Sequence, residues 1–337
     1  MLTGENGILT QAQNAKNRTE QAQADEENTL ASYESYLNSY SGVNTEFIDS
    51  LGNKVKVPAG FKVVNPQDNV ESGIVIEDVS HGETKGSQFV WIPVGTGIKK
   101  KDGTTFDIIL SRYIFDEKGE TLLERPIDQG ENTISNAYRE VNIGNGNATA
   151  KENIESNEEG FRKSAIDNGG YYIGRYEART NAERSNKEDR LTQVSEKPND
   201  FVYNFVTQLQ AAELSRKMYD NSSFESDLIN SYAWDTAILF IQTCSDNKEY
   251  SLQKSLNNTL AAKGTNNEEL KDEECNIFDM ASNCWEMSTE TSDIQNNPCV
   301  SRGGFYESNL NFSSYRSFDY IGHSVMGFSF RPIIYLK

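Results

Sequence analysis

Residues 275–290 of this chain read CNIFDMASNCWEMSTE, and after a polar turn residues 299–332 read CVSRGGFYESNLNFSSYRSFDYIGHSVMGFSFRP. Eight of the 32 residues from Ser301 to Pro332 are aromatic, a far higher share than the 10% of the whole chain. Aromatic side chains among Ser, Gly and Asn are typical of binding loops, because they give rigid contact area at low entropic cost. Aromatics are equally suited to the core of an irregular β-rich edge. Composition leaves both interpretations open.

Bulk composition excludes several classes of protein. The 337 residues carry a net charge of −19, which argues against binding of a nucleic-acid backbone. The four cysteines show no CxxC spacing, and two histidines are too few for a zinc cluster. An even number of cysteines is compatible with disulfides in an oxidising compartment and equally with free buried thiols. No apolar run is long enough for a transmembrane helix, and no signal peptide is evident.

The N-terminal part of the chain is predicted to be a separate helix. Residues 1–40 are rich in Gln, Ala, Glu and Asn, with a thin apolar stripe at helical spacing. Residues 41–56 are polar and predict a linker. The run GENGILTQAQNAKNRTEQAQ (4–23) resembles the segment that follows the hydrophobic anchor of type IV pilin-like proteins of Gram-positive bacteria. This resemblance implies a cell-surface or extracellular protein, tethered to a membrane by an N-terminal anchor that is absent from this chain.

Short β-rich runs and two amphipathic helices follow in the order of an α+β fold. The helix at 231–244 has Trp234, Ala237, Ile238 and Ile241 at i, i+3, i+4 and i+7. The helix at 199–219 has Asp200 as its expected N-cap. Strands are predicted at 57–64, 73–79, 88–95, 106–115, 169–179 and in the closing IIYL run, with a charged insertion around 96–165. An irregular antiparallel sheet with two main helices, plus the N-terminal helix, is the expected fold class.

Several motifs in this order resemble the formylglycine-generating enzyme (sulfatase-modifying factor) family. They are GYYIGRYEA (170–178), the Trp234 helix, NIFDMASNCWEMSTE, SRGGFY and SFRP. The resemblance covers residues 57–337 and implies one C-type lectin fold domain of that type. This chain has Ser282, Met287 and Ser329 where the family has Gly, Trp and Gly.

The family resemblance also bears on catalysis. Oxidising members hold copper with two cysteines after the Arg-Gly-Gly motif, and those positions fall on Ser308 and Ser313 here. A serine hydroxyl is not a soft thiolate ligand for Cu(I), so we expect no enzyme activity of this type. With His81 and His323 as the only imidazoles, a Ser/His/Asp triad is disfavoured. A carboxylate pair for glycoside chemistry stays open in so acidic a chain, although acidic residues more often form a solvated face.

One candidate ion site lies within residues 275–290, which we call the cassette. In family members the equivalent loop can hold calcium, and hard oxygen ligands suit that ion. The side chains of Asp279 and Glu286, with backbone oxygens of Ser282 and Cys284, would be the ligands. The alternative is a salt bridge from Glu286 to an arginine. No other cofactor is expected.

The second half of the quoted segment resembles the variable region of diversity-generating retroelement proteins, which use the same lectin-like scaffold. In those proteins the last few dozen residues vary, here 301–332. Adenine-directed mutagenesis of Asn codons cannot produce Lys, Glu, Gln, Met or Trp. From Phe305 to Phe328 only Glu307 and Met326 fall outside the permitted set.

These resemblances together imply a non-catalytic bacterial binding protein displayed at the cell surface. Its external ligand would be a protein or a glycan, with no nucleic acid. The expected contact residues are Phe305, Ser308, Leu310, Phe312, Tyr315, Phe318, Tyr320, Ile321, His323 and Val325. Tyr306, Arg316 and the run from Ser329 to Pro332 are expected to be scaffold. The alternatives are a divergent enzyme of the same family and a pilin-like structural subunit.

Overall fold

The computed structural model describes most of the chain. The described residues are 10–20, four positions between 22 and 30, 42–119, 121–122, 134–135, 137–141, 150–155, 158–189, 193–219, 221–256, 259–263, 272–292, 294, 296–308 and 311–337. Four α-helices lie among them: α1 (residues 10–20), α2 (Glu158–Asn168), α3 (Gln208–Met218) and α4 (Ser231–Cys244). Short 3-10 helices lie at Val70–Ser72, Gly82–Thr84 and Tyr250–Leu252.

The strands are short, and most pair with antiparallel neighbours. In chain order they are β1 (Thr45–Ile48), β2 (Lys54–Val57), β3 (Phe61–Val63), β4 (Val75–Asp78), β5 (Gln88–Pro93), β6 (Gly95–Lys99), β7 (Thr105–Ile108), β8 (Ile114–Phe115), β9 (Thr121–Leu122), β10 (Ile134–Ser135), β11 (Ala137–Val141), β12 (Ala150–Glu155), β13 (Gly170–Gly174), β14 (Arg179–Thr180), β15 (Phe201–Val202), β16 (Phe224–Leu228), β17 (Glu273–Glu274), β18 (Ile277–Phe278), β19 (Trp285–Ser292), β20 (Cys299–Arg302), β21 (Arg316–Asp319), β22 (Phe328–Phe330) and β23 (Pro332–Leu336). The fold is α+β, as the order of the sequence patterns predicts.

A six-stranded antiparallel sheet forms the main core. Its strand order is β16-β23-β13-β5-β4-β3, so the closing strand β23 lies inside the sheet. Every residue of β5 is buried, which is the pattern of a strand covered on both faces. Helix α2 packs against β13 and β23, and α4 packs against β5. The predicted strands at 73–79, 88–95 and 169–179 correspond to β4, β5 and β13.

The two main helices begin where side chains cap them. Asn230 caps α4 by accepting a hydrogen bond from the Ala233 backbone N–H, and the helix has the predicted bounds. Helix α3 begins at Gln208 after a capping box formed by Thr207 and Gln210. The prediction of Asp200 as its N-cap is therefore wrong. Asp200 instead accepts a hydrogen bond from the Ser195 hydroxyl at 2.7 Å.

A second sheet carries the quoted segment. Its strands run in the order β10-β19-β20-β21, and β22 pairs with β19 in parallel. Trp285 at the start of β19 lies opposite Phe328 of β22, and Arg302 of β20 lies opposite Arg316 of β21. The segment 303–327 is therefore held at both ends by strands of this second sheet.

Three predictions about the N-terminal half of the chain agree with the structure only in part or not at all. Residues 41–56 are not a linker, because β1 and β2 form a hairpin whose Phe47 and Val55 are buried in the main core. The predicted strand at 106–115 divides into parts of β7 and β8. In the predicted 1–40 helix, residues 10–20 are helical and all exposed, and most of the rest lies outside the described residues. Within the described part of the chain, no helix has the length and apolarity to cross a membrane.

Candidate functional site

Two loops of the second sheet carry the predicted contact residues. The first, 303–315, joins β20 to β21, and the second, 320–327, joins β21 to β22. Because variation is expected here from the sequence, we call the following set the variable face: Phe305, Ser308, Phe312, Tyr315, Phe318, Tyr320, Ile321, His323 and Val325. Of the predicted contact residues, Leu310 lies outside the described part of the chain.

A continuous row of five rings crosses the variable face. Tyr320 stacks on His323 with ring centroids 4.7 Å apart, and His323 meets Phe328 edge-on at 4.6 Å. Trp285 lies 5.3 Å from Phe328 and stacks on Phe305 at 4.2 Å. Such pairs add to the energy of area burial and fix ring orientations. The row therefore links the two loops through rings that belong to strands β19 and β22.

Close backbone approach allows this row to form. The backbone N–H of Trp285 donates to the Gly327 carbonyl at 2.9 Å. A Cβ on Gly327 would lie 2.1 Å from the Phe305 ring, which is far inside van der Waals contact. Only a glycine at this position leaves space for the Phe305 ring against Trp285.

The second loop presents the most exposed apolar groups of the face. Tyr320 is 54% exposed, Met326 is 42% exposed and Val325 is 40% exposed. The other described residues of the face are half-buried. Apolar groups that lie together at the surface mark contact sites more often than scattered ones do. The face therefore has a solvent-facing layer over a packed aromatic layer.

A small polar network of Asp319 and Ser301 holds the His323 ring in place. Its Nδ1 lies 2.8 Å from Oδ1 of Asp319, and the Ser301 hydroxyl donates to the other oxygen of Asp319 at 2.9 Å. The serine therefore donates to the carboxylate and not to the imidazole, unlike a nucleophilic Ser-His-Asp triad. This order of contacts holds the imidazole ring in position for its stacking on Tyr320.

The two serines at the cysteine positions of the resembled family lie in different settings. Ser313 is buried and its hydroxyl donates to the Tyr250 carbonyl, while its backbone N–H donates to the Gln253 carbonyl at 2.9 Å. Ser308 is half-buried and its hydroxyl donates to the side chain of Asn311. Ser313 thereby anchors the first loop to the segment around 250–253.

The remaining predicted face residues form a second, smaller group. Phe312 and Tyr315 meet edge to face at 5.6 Å, and Phe312 forms an isolated β-bridge with Lys254. Phe318 lies on β21 opposite Val300 and is half-buried.

Four residues that sequence analysis did not place on the face belong to it or to its rim. Trp285 is part of the ring row, and Met326 is one of the most exposed side chains. Leu256, which is 42% exposed, is tied to the cassette by its backbone N–H, 3.4 Å from the Ser282 hydroxyl. Phe205 has a positive φ of 51° and donates its backbone N–H to the Val325 carbonyl at 3.2 Å. Local pattern gives no signal for Leu256 and Phe205, because they reach the face only through tertiary contact.

The four residues of the candidate calcium site lie in a network of protein contacts. The Glu286 carboxylate is held by Arg331 through two hydrogen bonds of 2.8 and 2.5 Å, which is the salt-bridge alternative. The Cys284 backbone N–H donates to Glu177 at 2.8 Å, and the Ser282 hydroxyl faces Leu256. Within the residues that the structure describes, no group of three or more His, Cys, Asp or Glu is arranged to hold a metal ion.

Around these residues lies what we call the acid-rich cluster. It contains five buried carboxyl groups and two buried guanidinium groups: Glu177, Glu196, Asp272, Asp279, Glu286, Arg179 and Arg331. Burial raises the pKa of Glu177 to about 7, and it raises the pKa values of Glu196 and Asp279 well above their ordinary range. Since carboxyls outnumber guanidiniums, some of them bind a proton near neutral pH.

A second ionic group, which we call the balanced cluster, lies at the base of the first loop. Arg302 contacts Asp235 at 2.5 Å and Glu290 at 3.3 Å, and Arg316 contacts the same two acids at 2.5 and 3.3 Å. Burial raises the pKa of Glu290, but Arg316 and Arg302 outweigh burial and hold it below its usual value. Because Arg302 ends β20 and Arg316 begins β21, this cluster fixes both ends of the loop.

Comparison of the chain with protein-family models, with curated proteins and with solved structures finds no match.

Proposed function

We propose that this chain is a non-catalytic binding protein of the bacterial cell surface, and that the variable face contacts its ligand. In this proposal residues 57–337 are a C-type lectin fold domain of the formylglycine-generating enzyme type. A diversity-generating retroelement would vary residues 301–332. The observation that carries the proposal is the row of rings from Tyr320 to Phe305, whose outer members reach solvent above a buried base.

The contrast between loop and base supports a contact surface over a simple core. The base is held by buried ion pairs, in which Arg302 and Arg316 each lie 2.5 Å from Asp235. Above it, Tyr320, Val325 and Met326 contribute exposed apolar area. Binding energy in protein interfaces is concentrated in aromatic side chains at well-supported central positions. A rigid base under exposed rings meets this requirement with little conformational entropy to lose.

The residues that carry the family resemblance also have clear packing roles, which supports the proposed fold. A Cβ on Gly304 would lie 1.7 Å from the Ala281 carbonyl oxygen. A Cβ on Gly303 would lie 3.2 Å from the Trp234 ring. The Arg-Gly-Gly motif therefore needs both glycines where the cassette packs on α4. The proposed ligand is an external protein or glycan.

Surface display rests on the N-terminal segment. The exposed helix at residues 10–20 has no buried side chain, which suits a stalk between an anchor and the binding domain. The pilin-like sequence around it supplies the second argument. A membrane anchor preceding this helix remains part of the proposal.

An array of purified extracellular proteins and glycans tests the binding function. The chain, a Tyr320→Ala/Val325→Ser variant and an Ile166→Ser control are applied to the same array. Ile166 is 61% exposed on α2 and serves as a matched apolar surface change. We expect a ligand whose signal falls about tenfold or more with the double variant and persists with the control.

The melting temperatures of the same variants separate contact from core. Both variants should melt within about 2 °C of the parent chain, because the changed side chains are substantially exposed. Equal ligand signals from parent and double variant would contradict the proposed face. A large drop in melting temperature for the double variant alone would favour the core interpretation.

Sequencing the locus across a bacterial population tests diversification separately. We expect substitutions at adenines of codons within 301–332, with the codons for 285–300 unchanged. A repeat that encodes the same segment should lie near a reverse transcriptase gene. An invariant segment would remove diversification from the proposal and leave the binding experiment unaffected.

A further inference from the structure

Two of the four cysteines lie at the ends of elements that share the polar neighbours Lys100 and Glu71. Cys244 is the last residue of α4, and Cys275 is the first turn residue of the β17–β18 hairpin. Both thiols are half-buried and pack at the edge of the main hydrophobic core. We propose that Cys244 and Cys275 are a modification site that an oxidised low-molecular-weight disulfide converts into a cross-link.

Shared polar neighbours bring the two cysteines together. Lys100 donates to the carbonyl of Thr243 at 2.7 Å, and the same ammonium lies 3.9 Å from the Glu71 carboxylate. The Cys275 thiol in turn lies 3.7 Å from the Glu71 carbonyl. The Cys244 thiol is also among the groups that act electrostatically on Cys275. The helix end and the hairpin turn are therefore neighbours across the Lys100–Glu71 pair.

The hairpin turn holds Cys275 in one defined position. Cys275 and Asn276 have φ values of 48° and 64°, so both turn residues are left-handed, as in a type I′ turn. The Asn276 amide donates to the carbonyls of Ser72 and Gly73 at 3.0 and 2.8 Å. A Cβ on Gly73 would lie 2.0 Å from the Cys275 carbonyl oxygen, so glycine is needed there for this docking. The turn cannot shift far without breaking these contacts.

The other two cysteines have different surroundings. Cys284 is fully buried in the cassette, with its sulfur 3.9 Å from the Met326 carbonyl. Cys299 is buried on β20 opposite Asp319. Cross-linking of Cys244 with Cys275 should therefore leave both of them unchanged.

The reaction is a two-step thiol–disulfide exchange. The Cys244 thiol loses its proton and its sulfur attacks the small disulfide, which releases one small thiol and leaves a mixed disulfide. The Cys275 thiol then loses its proton and attacks the Cys244 sulfur, which releases the second small thiol. The two electrons from the cysteines pass to the small disulfide, and its two released thiols take up the two protons.

Charged neighbours set the order and the pH dependence of this exchange. Burial raises the pKa of Cys244 to about 12, although Lys100 and Lys248 act in the opposite direction. Burial also raises the pKa of Cys275, and Glu274 and Glu71 add to that rise. Because the Lys100 ammonium is hydrogen-bonded to the carbonyl of Thr243, next to Cys244, we assign the first attack to Cys244. The exchange should be faster near pH 9 than near pH 7 because the thiolate is the nucleophile.

The cross-link would close a loop that includes part of the rim of the variable face. Residues 245–274 include Leu256 and Ala261, whose backbone N–H groups reach Ser282 and Asn283 of the cassette. Fixing the two ends of this segment reduces the conformational entropy of the unfolded chain. This inference does not rest on the binding function, so the two proposals can fail separately.

Mass spectrometry of the intact chain after incubation with oxidised glutathione near pH 9 tests the cross-link. We expect a loss of about 2 Da and a linked peptide pair containing Cys244 and Cys275, with a rise in melting temperature of about 5 °C or more. Cys244→Ser and Cys275→Ser should each abolish the linked pair and leave a glutathione adduct on the remaining cysteine. Cys299→Ser should still give it.

The linked peptides identified in the unchanged chain test the proposed Cys244–Cys275 cross-link even if a cysteine variant fails to fold. Absence of a linked Cys244–Cys275 peptide under conditions that fully consume accessible thiols would overturn the proposal. A linked pair that involves Cys284 or Cys299 instead would overturn it as well.

Discussion

The two buried ionic clusters share residue types but differ in their ratio of acid to base. The balanced cluster sets two carboxylates, Asp235 and Glu290, against two guanidiniums, Arg302 and Arg316. The acid-rich cluster sets five carboxyls against two guanidiniums. The pKa of Glu290 is lowered in the first, whereas the pKa of Glu177 is raised to about 7 in the second.

The difference shows that burial alone does not decide the protonation of an acidic group. Desolvation favours the neutral form of every buried carboxyl, and nearby cations reverse that effect only where their attraction outweighs it. Glu290 of the balanced cluster is therefore held in its ionised form by the neighbouring arginines. The acid-rich cluster carries protons that the unfolded chain would release near neutral pH.

Removal of one arginine from each cluster should have the largest effect. Arg302→Met and Arg331→Met should each lower the free energy of unfolding by about 3–5 kcal/mol near pH 8, because each leaves buried carboxylates uncompensated. Near pH 5 the Arg331 variant should recover more of this loss, since its acidic neighbours already take up protons readily. Urea unfolding at both pH values measures the two recoveries. Equal recoveries would show that the clusters do not differ as described.

The pH dependence of the unchanged chain should be the next largest effect. The pKa of Glu177 rises from its ordinary 4.5 to about 7 on folding, so the native state holds a proton that the unfolded state has lost. The resulting stability is fully present below about pH 4.5 and is lost as the pH rises through about 7. We expect the free energy of unfolding to fall by about 3 kcal/mol between pH 5 and pH 8.

Urea unfolding at constant ionic strength across this range checks the sign. A free energy of unfolding that is constant or rises between these pH values would contradict a protonated acid-rich cluster. Glu177→Gln, which removes the titrating group, should reduce the slope.

Replacing one glutamate in each cluster should have the smallest effect on the free energy of unfolding. The two replacements should change it in opposite directions near pH 8. Glu196→Gln should raise the free energy of unfolding by about 1–2 kcal/mol near pH 8, because folding no longer requires a carboxyl to bind a proton. The same change should have little effect near pH 5. Glu290→Gln should instead destabilise the protein at both pH values, since Arg302 and Arg316 lose a charged partner. Changes of the same sign in both variants would remove the distinction between the clusters.

Sequence pattern predicts the elements whose signals are local. The apolar periodicity around Trp234 gives α4 with its true bounds, because a 3.6-residue period is carried by the helix itself. The start of α3 was also readable, since Thr207 and Gln210 have the spacing of a capping box. Asp200 lies too far from the first helical residue, Gln208, to cap this helix.

The sequence predicts only some features of the candidate functional site. Aromatic enrichment indicates the two loops of the variable face, because composition is a local property. The pairing of Glu286 with Arg331 and of Asp235 with Arg302 joins residues far apart in sequence, so spacing alone does not reveal it. The hairpin at 45–57 was missed for a related reason, since its burial depends on contacts with the main core.

The close approach of Gly327 to the Phe305 ring limits how freely the loops can be rewritten. A side chain at 327 and a large ring at 305 cannot occupy the same space, since a Cβ there would lie 2.1 Å from the ring. If both positions are drawn independently, combinations with a large residue at each end are lost to misfolding. The usable repertoire is then smaller than the product of the choices at each codon. If the proposed diversification occurs, functional variants should show a negative correlation in side-chain volume between these two positions.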